Sequence, residues 1–317
     1  MKGLIAVIGP TAVGKSKLAL QLCQKYNYEI VNADSRQIYR YMDIGTAKPP
    51  QSDLDIVPHH LIDIIDPDEA FSLTTYQRLA YEKISCIQSQ GGIPILTGGS
   101  GLYAWAVMEG WTIPEVSPDN EFRHNLEKIA DINGIDVLYQ ELRSIDPVTA
   151  NKIVPNNLRR IIRALEIYKM TGIPASQLQG KKSPQFPKLV IGLTANRDYL
   201  YRIIDHRIDE MLENGLVNEV ENLLKRNYTL DLPSMSGIGY RQIGMVINRK
   251  INLPEAVQQI KYGTHKFARH QYAWFRLNDT RIHWFDICDN IQTDIDSLVS
   301  IFINTVSSNK EDEYVFY

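Results

Sequence analysis

Short apolar runs alternate with longer amphipathic stretches over the first third of the chain. Residues 4–8 are uniformly apolar and residues 17–26 have helical periodicity, which predicts a strand followed by a helix. Further strands are predicted at residues 29–33, 61–65 and 93–97, and further helices at 74–90 and 102–108. A strand, a crossover helix and a parallel strand in succession are typical of a doubly wound α/β sheet.

The pattern changes after Gly110. Residues 113–118 carry prolines and indicate a linker, and helical periodicity dominates from there to about residue 179. An apolar run at residues 189–193 predicts a return to the sheet. Helices are predicted at residues 122–129, 135–145, 158–170, 202–224 and 254–276, and a last strand at 282–286. We therefore predict an α/β core of residues 1–113 and 186–317, interrupted by a helical insertion domain at residues 114–185.

The composition is that of an ordinary globular protein, with 44% hydrophobic and 22% charged residues. Its 34 basic and 37 acidic residues give a net charge of −3, so nucleic-acid binding would have to rest on local basic patches. The three cysteines form no CxxC pair, which argues against a disulfide scaffold and a zinc module. The chain shows no apolar run of membrane length, and we expect no signal peptide, because a predicted strand begins within the first residues. We expect a cytoplasmic monomer without a membrane partner.

One glycine-rich segment fits the phosphate-binding pattern G-x-x-x-x-G-K-[ST] and lies between a predicted strand and a predicted helix. Its residues are Gly9, Pro10, Thr11, Ala12, Val13, Gly14, Lys15 and Ser16. The N–H groups of such a loop surround phosphate oxygens at the positive end of the helix dipole. Lys15 adds a positive charge, and the Ser16 hydroxyl can ligate Mg²⁺. The core is therefore predicted to be a P-loop doubly wound parallel sheet that binds a di- or triphosphate.

Asp34 follows the second predicted strand, and open α/β sheets bind ligands at the carboxyl ends of their strands. Its carboxylate could bind Mg²⁺ or accept a proton, and the alternative is a helix N-cap. Residues 98–101, Gly-Gly-Ser-Gly, follow another strand and allow a ligand to approach the backbone closely. No acidic residue ends the strand at 93–97, where an ATPase often has a Mg²⁺-organising aspartate. That absence weakens the interpretation as an ATP hydrolase.

Two segments combine basic residues in ways that suit a nucleic acid. Arg159, Arg160 and Arg163 lie close together on a predicted helix. Residues 261–276 interleave basic and aromatic side chains without an acidic residue, so that charges could meet phosphates and rings could stack on bases. The alternative is a solvated helix with a buried aromatic stripe, and both interpretations remain open. Further possible phosphate or base contacts are His206, Arg207, Tyr240 and Arg241.

Taken together, these segments resemble the tRNA dimethylallyltransferase family, the isopentenyl transferases that modify an adenosine beside the anticodon. The resemblance covers nearly the whole chain, in residues 9–16, 34–39, 42–49, 58–61, 98–103, 159–166, 239–242 and 274–276. The Asp-Ser-Arg-Gln sequence at 34–37 and the Gly-Thr-Ala-Lys-Pro sequence at 45–49 are far more discriminating than the phosphate loop.

The resemblance implies that dimethylallyl diphosphate donates its five-carbon group to the exocyclic amine of the adenosine 3′-adjacent to the anticodon. The P-loop would hold this donor with Mg²⁺ on Ser16, and Lys15, Thr11 and Arg207 would contact or stabilise the departing diphosphate. Asp34 matches the family's catalytic aspartate, which orients the amine and takes its proton. The tRNA anticodon stem-loop is expected to contact Asp34, Ser35, Arg36, Gln37, Ser100, Arg123, Arg159, Arg160, Ile161, Ile162, Arg163, Ser236, Gly237, Ile238, Gly239, Tyr240 and Arg241.

Two other functions remain open at this point. A small-molecule kinase would use the same phosphate loop, with Asp34 binding or deprotonating an acceptor hydroxyl, and would need no RNA. A non-catalytic RNA-binding regulator would function without the Asp34 carboxylate. The chain also departs from the family pattern, with Ser100 where threonine is frequent and with His265 and His270 where arginine is frequent. The two histidines weaken the expectation of phosphate contacts on that helix.

Overall fold

The computed structural model describes residues 3–182, 184 and 186–308. The chain divides into two compact units, one formed by Met1–Met108 with Pro184–Tyr317 and the other by Glu109–Ser183. The predicted end of the insertion at residue 185 and the C-terminal residues 309–317 lie outside the described part.

The first unit is built on a six-stranded sheet whose strands all run parallel, in the order β3-β2-β4-β1-β7-β8. The strands of the protein, in chain order, are β1 (Leu4–Ile8), β2 (Ile30–Asn32), β3 (His59–His60), β4 (Ile95–Thr97), β5 (Trp111–Thr112), β6 (Gly180–Lys181), β7 (Lys188–Thr194) and β8 (His283–Asp286). Every residue of β1 is buried, because central strands of a parallel sheet are covered on both faces. The predicted α/β class with a P-loop doubly wound parallel sheet is confirmed.

Helices flank this sheet and complete the first unit. They are α1 (Lys15–Tyr26), α2 (Gln51–Ile56), α3 (Leu73–Ser89), α4 (Gly101–Met108), α10 (Arg197–Glu213), α11 (Leu216–Lys225), α12 (Tyr240–Ile247), α13 (Leu253–Trp274) and α14 (Gln292–Ser308), with a 3₁₀ turn at Ser234–Ser236. Among the helices in the described part of the chain, none is both long and apolar enough to cross a bilayer. The register of β1 with β4 and of β4 with β2 brings the carboxyl ends of these three strands to one edge.

The second unit is helical, with a short antiparallel ladder in which β5 pairs with β6. Its helices are α5 (Asn120–Asn133), α6 (Ile135–Ile145), α7 (Pro147–Ala150), α8 (Leu158–Thr171) and α9 (Ala175–Leu178). Residues such as Leu138, Leu142 and Leu165 recur at helical spacing and form a separate hydrophobic core. Side chains cap three of these helices, α5, α7 and α8; at α5, Asp119 accepts from the Phe122 N–H at 2.9 Å.

Two sequence predictions about elements are wrong, for local backbone reasons. The strand predicted at 61–65 does not form, and the short strand β3 lies just before it at His59–His60. Leu61 (φ 65°) and Asp63 (φ 55°) adopt left-handed conformations that interrupt an extended run. The single helix predicted at 202–224 is two helices, α10 and α11. Gly215 separates them with φ 97°, a conformation that glycine adopts at little cost. Helix α14 had not been anticipated.

Candidate active site

The phosphate loop connects β1 to α1 through a backbone that glycine permits. Gly9 has φ 139°, and a Cβ there would lie 2.3 Å from the carbonyl oxygen of Leu193. Gly14 precedes α1 with φ 83°, and Ala12 is left-handed with φ 70° despite its side chain. The loop thus ends at the N-terminus of a 12-residue helix, where unpaired N–H groups and the helix dipole favour an anion.

Two cations lie at this loop. Lys15 Nζ donates to the Pro10 carbonyl oxygen at 2.6 Å, and Nη1 of Arg207, from α10, lies 3.4 Å from Thr11 Oγ1. Desolvation and then the Arg207 charge lower the pKa of Lys15 to about 7, although Asp34 opposes them. Desolvation also lowers the pKa of Arg207, again against Asp34. Burial is the main cause of both shifts, so the two positive charges lie in a desolvated site where a bound anion would stabilise them.

Asp34 follows β2 and is fixed by backbone contacts. Its Oδ1 accepts from the Arg36 N–H at 2.8 Å, and its own N–H donates to Asn32 Oδ1 at 3.0 Å. Residues 35–50 are all described, and no helix begins among them. The alternative that Asp34 is a helix N-cap is therefore wrong. The local bond is an Asx turn. The second carboxylate oxygen, Oδ2, lies 3.6 Å from where a Cβ on Gly99 would be.

The loop after β4 packs directly on the loop after β2. A Cβ on Gly98 would lie 2.2 Å from the carbonyl carbon of Ala33, so only glycine allows this approach. Ser100 Oγ accepts from the Ser35 N–H at 2.9 Å and bonds to the Ser35 hydroxyl at 3.0 Å. The hydroxyl at position 100 therefore joins two loops that both line the site.

Gln271 is a buried polar residue of α13 whose partners sequence reasoning missed. Its Oε1 accepts from the Thr11 N–H and its Nε2 donates to the Gly99 carbonyl oxygen, both at 2.8 Å. No local sequence pattern predicts these bonds, because the partners are 260 and 172 residues away.

A cavity of about 550 Å³ joins these groups to an apolar wall. Its polar lining includes Thr11, Asp34, Ser100 and Arg207. Much of its apolar lining comes from the segment between α10 and α13 and includes Ile204, Ile208, Met211, Leu216, Ile238, Ile260 and Phe267. A cavity with a cationic, phosphate-binding side and an aliphatic side fits a ligand that is charged at one end and hydrocarbon at the other.

Glu219, on α11, fixes part of the cavity lining and was also missed. Its carboxylate accepts from the N–H groups of Asp43, Ile44 and Gly45 at 2.9, 2.7 and 3.1 Å. Tyr240 donates its hydroxyl to the same carboxylate at 2.6 Å. A Cβ on Gly45 would lie 2.6 Å from the Tyr240 ring, which explains the glycine in the Gly-Thr-Ala-Lys-Pro sequence.

Two residues predicted to contact tRNA make contacts within the protein. Nη1 of Arg36 donates to the Pro233 carbonyl oxygen at 2.8 Å, and its Nη2 lies 3.4 Å from Ser236 Oγ. Gln37 Nε2 donates to the Ala47 carbonyl oxygen at 3.0 Å. Both side chains thus hold neighbouring segments of the cavity lining, and their contact with RNA stays a prediction.

Residues of the predicted tRNA-contacting segment 236–241 differ in their exposure. Gly237, Ile238 and Gly239 line the cavity, and Arg241 is exposed. Tyr240 is 1% exposed, so its side chain serves the interior and not a surface.

In the second unit, a buried carboxylate holds two of the predicted tRNA contacts. Glu166 is completely buried and accepts from Arg123 Nε and Nη2 at 2.7 Å each, from Arg163 Nη1 at 2.5 Å and from the Asp119 N–H at 2.8 Å. Each arginine side chain remains 35% exposed. Both therefore have a structural role, and contact with RNA stays a prediction for their exposed parts.

The remaining predicted contacts on α8 divide by burial. Arg159 and Arg160 are exposed, as an RNA contact requires. Ile161 and Ile162 belong to the hydrophobic core of the second unit, at 0% and 4% exposure. Their side chains are not on the surface, so the structure does not support side-chain contact with tRNA at these two positions.

Part of the basic and aromatic segment of α13 pairs with α10. Lys261 forms an ion pair with Asp209 at 2.7 Å, and His265 lies 2.8 Å from Asp205 and stacks on the ring of Tyr201 at 3.9 Å. A histidine where the family often has arginine is thus held inside the protein, and nucleic-acid binding by this helix stays a prediction.

Known proteins are similar to this chain in both sequence and fold. The family model described as IPP transferase matches residues 37–278. Over 273 residues the chain is 51% identical to the tRNA dimethylallyltransferase of Roseiflexus sp. (strain RS-1). The aligned region covers 86% of this chain and 90% of the relative. The chain belongs to the IPP transferase family. The tRNA dimethylallyltransferase of Dehalococcoides mccartyi is 46% identical over 300 residues, covering 95% and 92% of the two chains.

Solved structures agree with this assignment. The tRNA isopentenylpyrophosphate transferase from Bacillus halodurans is 38% identical, with a TM-score of 0.70 over 97% of this chain and 98% of that one. A eukaryotic dimethylallyltransferase acting on tRNA is 26% identical, with a TM-score of 0.79 over 99% and 81%. This IPP transferase family member is therefore an enzyme that transfers a dimethylallyl group to tRNA. The small-molecule kinase and the non-catalytic regulator are excluded.

Proposed function

We propose that the enzyme takes its group from dimethylallyl diphosphate and attaches it to the exocyclic amine of the adenosine 3′-adjacent to the tRNA anticodon. The observation that carries the proposal is the cavity in which a phosphate loop, the Asp34 carboxylate and an aliphatic wall meet. In the reaction the amine nitrogen bonds to the allylic carbon, the carbon–oxygen bond to diphosphate breaks, and the amine loses one proton.

The phosphate loop binds the diphosphate end of the donor. The negative charge on the leaving group grows as the carbon–oxygen bond breaks, and Lys15, Arg207 and the N-terminus of α1 lie where that charge develops. Groups that are fixed before the reaction stabilise the transition state more than the ground state. The lowered pKa values of Lys15 and Arg207 support this role, because they mark two cations that an anion would stabilise.

The donor set at the loop fits Mg²⁺ bound mainly through the diphosphate and water. Within residues 3–182, 184 and 186–308, no group of three or more His, Cys, Asp or Glu side chains is arranged to hold a metal. Ser16 and Asp34 line one small cavity of about 70 Å³ beside Lys15 and offer two oxygen ligands there. Mg²⁺ is usually held by one or two protein oxygens together with substrate phosphates. When bound, the ion would neutralise charge on the diphosphate.

Asp34 acts on the acceptor. Its backbone bonds fix the carboxylate, and Oδ2 lies next to the loop that carries Ser100. The carboxylate accepts a hydrogen bond from the exocyclic amine, orients its lone pair towards the allylic carbon, and receives the proton as the new bond forms.

The tRNA presents its anticodon stem-loop, and the adenosine leaves its stack to reach the cavity. Exposed arginines at positions 159 and 160 of the helical insertion, and at 241 in the first unit, supply charges for the RNA backbone. Contacts to the loop bases come from Ser35, Ser100 and Ser236 together with the backbone at 237–239. The enzyme acts as a monomer, with one donor site and one acceptor site in each chain.

The test follows label from dimethylallyl diphosphate into unmodified tRNA. We expect incorporation that disappears when the target adenosine is replaced by guanosine. Asp34→Asn keeps an oxygen for the Arg36 N–H but removes the base, so kcat should fall by about 10²-fold or more while tRNA affinity is retained. Asp55→Asn, at an exposed position of α2, is the matched control. Label that enters the guanosine-substituted tRNA equally well, or full activity of Asp34→Asn, would contradict the proposal.

A further inference from the structure

Gln271 connects the loop proposed to hold the donor with the loop beside the proposed base. It lies on α13, is 3% exposed, and bonds to the Thr11 N–H and to the Gly99 carbonyl oxygen at 2.8 Å each. Neither loop bonds to the other through these groups, so the side-chain amide spans the distance between them.

The chemistry of the two partners permits only one orientation of this amide. A backbone N–H can only donate, and a backbone carbonyl can only accept. Gln271 Oε1 must therefore face Thr11, and Nε2 must face Gly99. Among side chains of this length, only glutamine offers an acceptor and a donor at its tip at neutral pH. A buried polar group that makes both hydrogen bonds is stable, whereas the loss of either bond costs free energy because a buried donor or acceptor is left unpaired.

Gln271 packs closely against the loop that carries Gly99. A Cβ on Gly99 would lie 2.5 Å from Gln271 Nε2, so only glycine leaves room for the amide there, and the same point is 3.6 Å from Asp34 Oδ2. On the other side, Thr11 lies 3.4 Å from Arg207 through its hydroxyl. The same amide thus lies between the cationic and the carboxylate sides of the cavity.

We propose that Gln271 is a positioning residue that sets the separation between the leaving diphosphate and the base-bearing side of the site. The inference rests on the proposed function, because it assigns the donor to the phosphate loop and the acceptor to Asp34. Gln271 holds the two loops together through Thr11 and Gly99 and does not touch the reacting atoms. Nucleophilic attack needs the nitrogen and the allylic carbon about 3–3.5 Å apart, and a 1 Å misplacement can cost about 10²-fold in rate.

Two substitutions at this position test the inference. Gln271→Glu keeps the size and the bond to Thr11 but directs a second oxygen against the Gly99 carbonyl. Gln271→Met keeps most of the volume and makes neither bond. We expect both to lower kcat for prenyl transfer by about 10²-fold. The affinity and stoichiometry of inorganic diphosphate should stay within about threefold of the wild type, because Lys15 and the helix N-terminus remain in place. Gln258→Glu makes the same chemical change at an exposed position of α13 and should leave kcat unchanged.

The readout separates positioning from a merely structural role. Active sites are counted by diphosphate binding, and kcat is expressed per active site below the unfolding temperature of each variant. Wild-type kcat per site in both variants, or a fall in activity that only follows the loss of diphosphate-binding sites, would overturn the inference. Gly99→Ala places a Cβ against the same amide from the other loop. This variant repeats the test if the Gln271 variants fold poorly. If the wild type itself transfers no prenyl group, the proposed function has failed and the inference fails with it.

Discussion

The buried Glu166 of the second unit allows one stability prediction to be worked out from the structure. Replacing it by glutamine keeps the shape of the side chain but removes the charge that both Arg123 and Arg163 contact. Removing one partner of a buried ion pair typically costs about 3–5 kcal/mol, because the other charge is left without compensation. Each arginine side chain keeps 35% of its surface in water, which reduces that penalty. We therefore expect Glu166→Gln to lower the free energy of opening of this unit by about 3 kcal/mol.

The assay is hydrogen exchange of the α8 amides, which reports the opening of this unit separately from the rest of the chain. Glu127→Gln, at an acidic residue of α5 whose side chain is 55% exposed, is the matched control and should change the opening free energy by less than about 0.5 kcal/mol. If Glu166→Gln also stays within that range of the wild type at neutral pH, the reasoning about the buried carboxylate is refuted.

The stabilisation of this unit by Glu166 depends on pH. Burial alone would raise the pKa of Glu166, but the hydrogen bonds from Arg123, Asp119 and Arg163 outweigh it and lower the pKa below 4.5. The folded unit therefore binds this proton less tightly than the unfolded chain does. The stabilisation is fully present above about pH 4.5 and is lost as the pH falls through the folded pKa. The difference in opening free energy between wild type and Glu166→Gln should accordingly shrink only below pH 4.5.

Close packing in the first unit leads to the remaining predictions. Gly99→Ala places a Cβ 2.5 Å from Gln271 Nε2 and should lower kcat about 10-fold or more in the prenyl-transfer assay. Gly263→Ala, in α13, would place a Cβ in ordinary contact with Ile238 at 3.6 Å. It should leave kcat unchanged and add up to about 1 kcal/mol of stability, and equal kcat losses in both variants would refute the packing argument. Tyr240→Phe removes the 2.6 Å bond to Glu219 and should lower the free energy of unfolding in urea by about 1.5–3 kcal/mol. An unchanged urea midpoint would show that this bond contributes nothing.

The elements that the sequence predicts well are those whose signals are local. The apolar run of β1, the glycine pattern after it and the periodicity of α1 lie within 23 residues of one another. Each part supports the next, so fold class and phosphate loop follow together. The missed helix α14 had a signal of the same kind, with Ile295, Val299 and Val306 recurring on one face.

The errors arise where an apolar run has no strand geometry or where a break depends on a single residue. Residues 61–65 have the composition of a buried strand, yet left-handed conformations at Leu61 and Asp63 turn the chain. Periodicity continues across Gly215 although the helix does not, because the pattern of buried residues resumes at Leu216. An isolated glycine inside a helical pattern is tolerated often enough that it does not by itself predict a break.

In the site, motifs identify residues whose role is local and miss those that act across the fold. Lys15 and Asp34 belong to short, discriminating sequences, so position in the chain was enough to find them. Gln271 and Glu219 contact loops 260 and 176 residues away, and nothing near either residue in sequence marks those partners. Conversely, the resemblance included Ile161 and Ile162 in a tRNA-contacting run, although the helical period turns both inward.

The parallel pairing of β1 with β7 has a consequence during synthesis on the ribosome. β1 is made long before its partner on one side, which begins at Lys188, after the whole insertion. Lys188 lies 180 residues after Ile8, the last residue of β1, and translation covers that distance in about 9–36 s at about 5–20 residues per second. Throughout this interval the nascent first strand has an open edge that could pair with another polypeptide. The intervening helices make many local contacts and can fold in the meantime. The risk of mispairing therefore lies at the edge of β1 and ends only when β7 has been made.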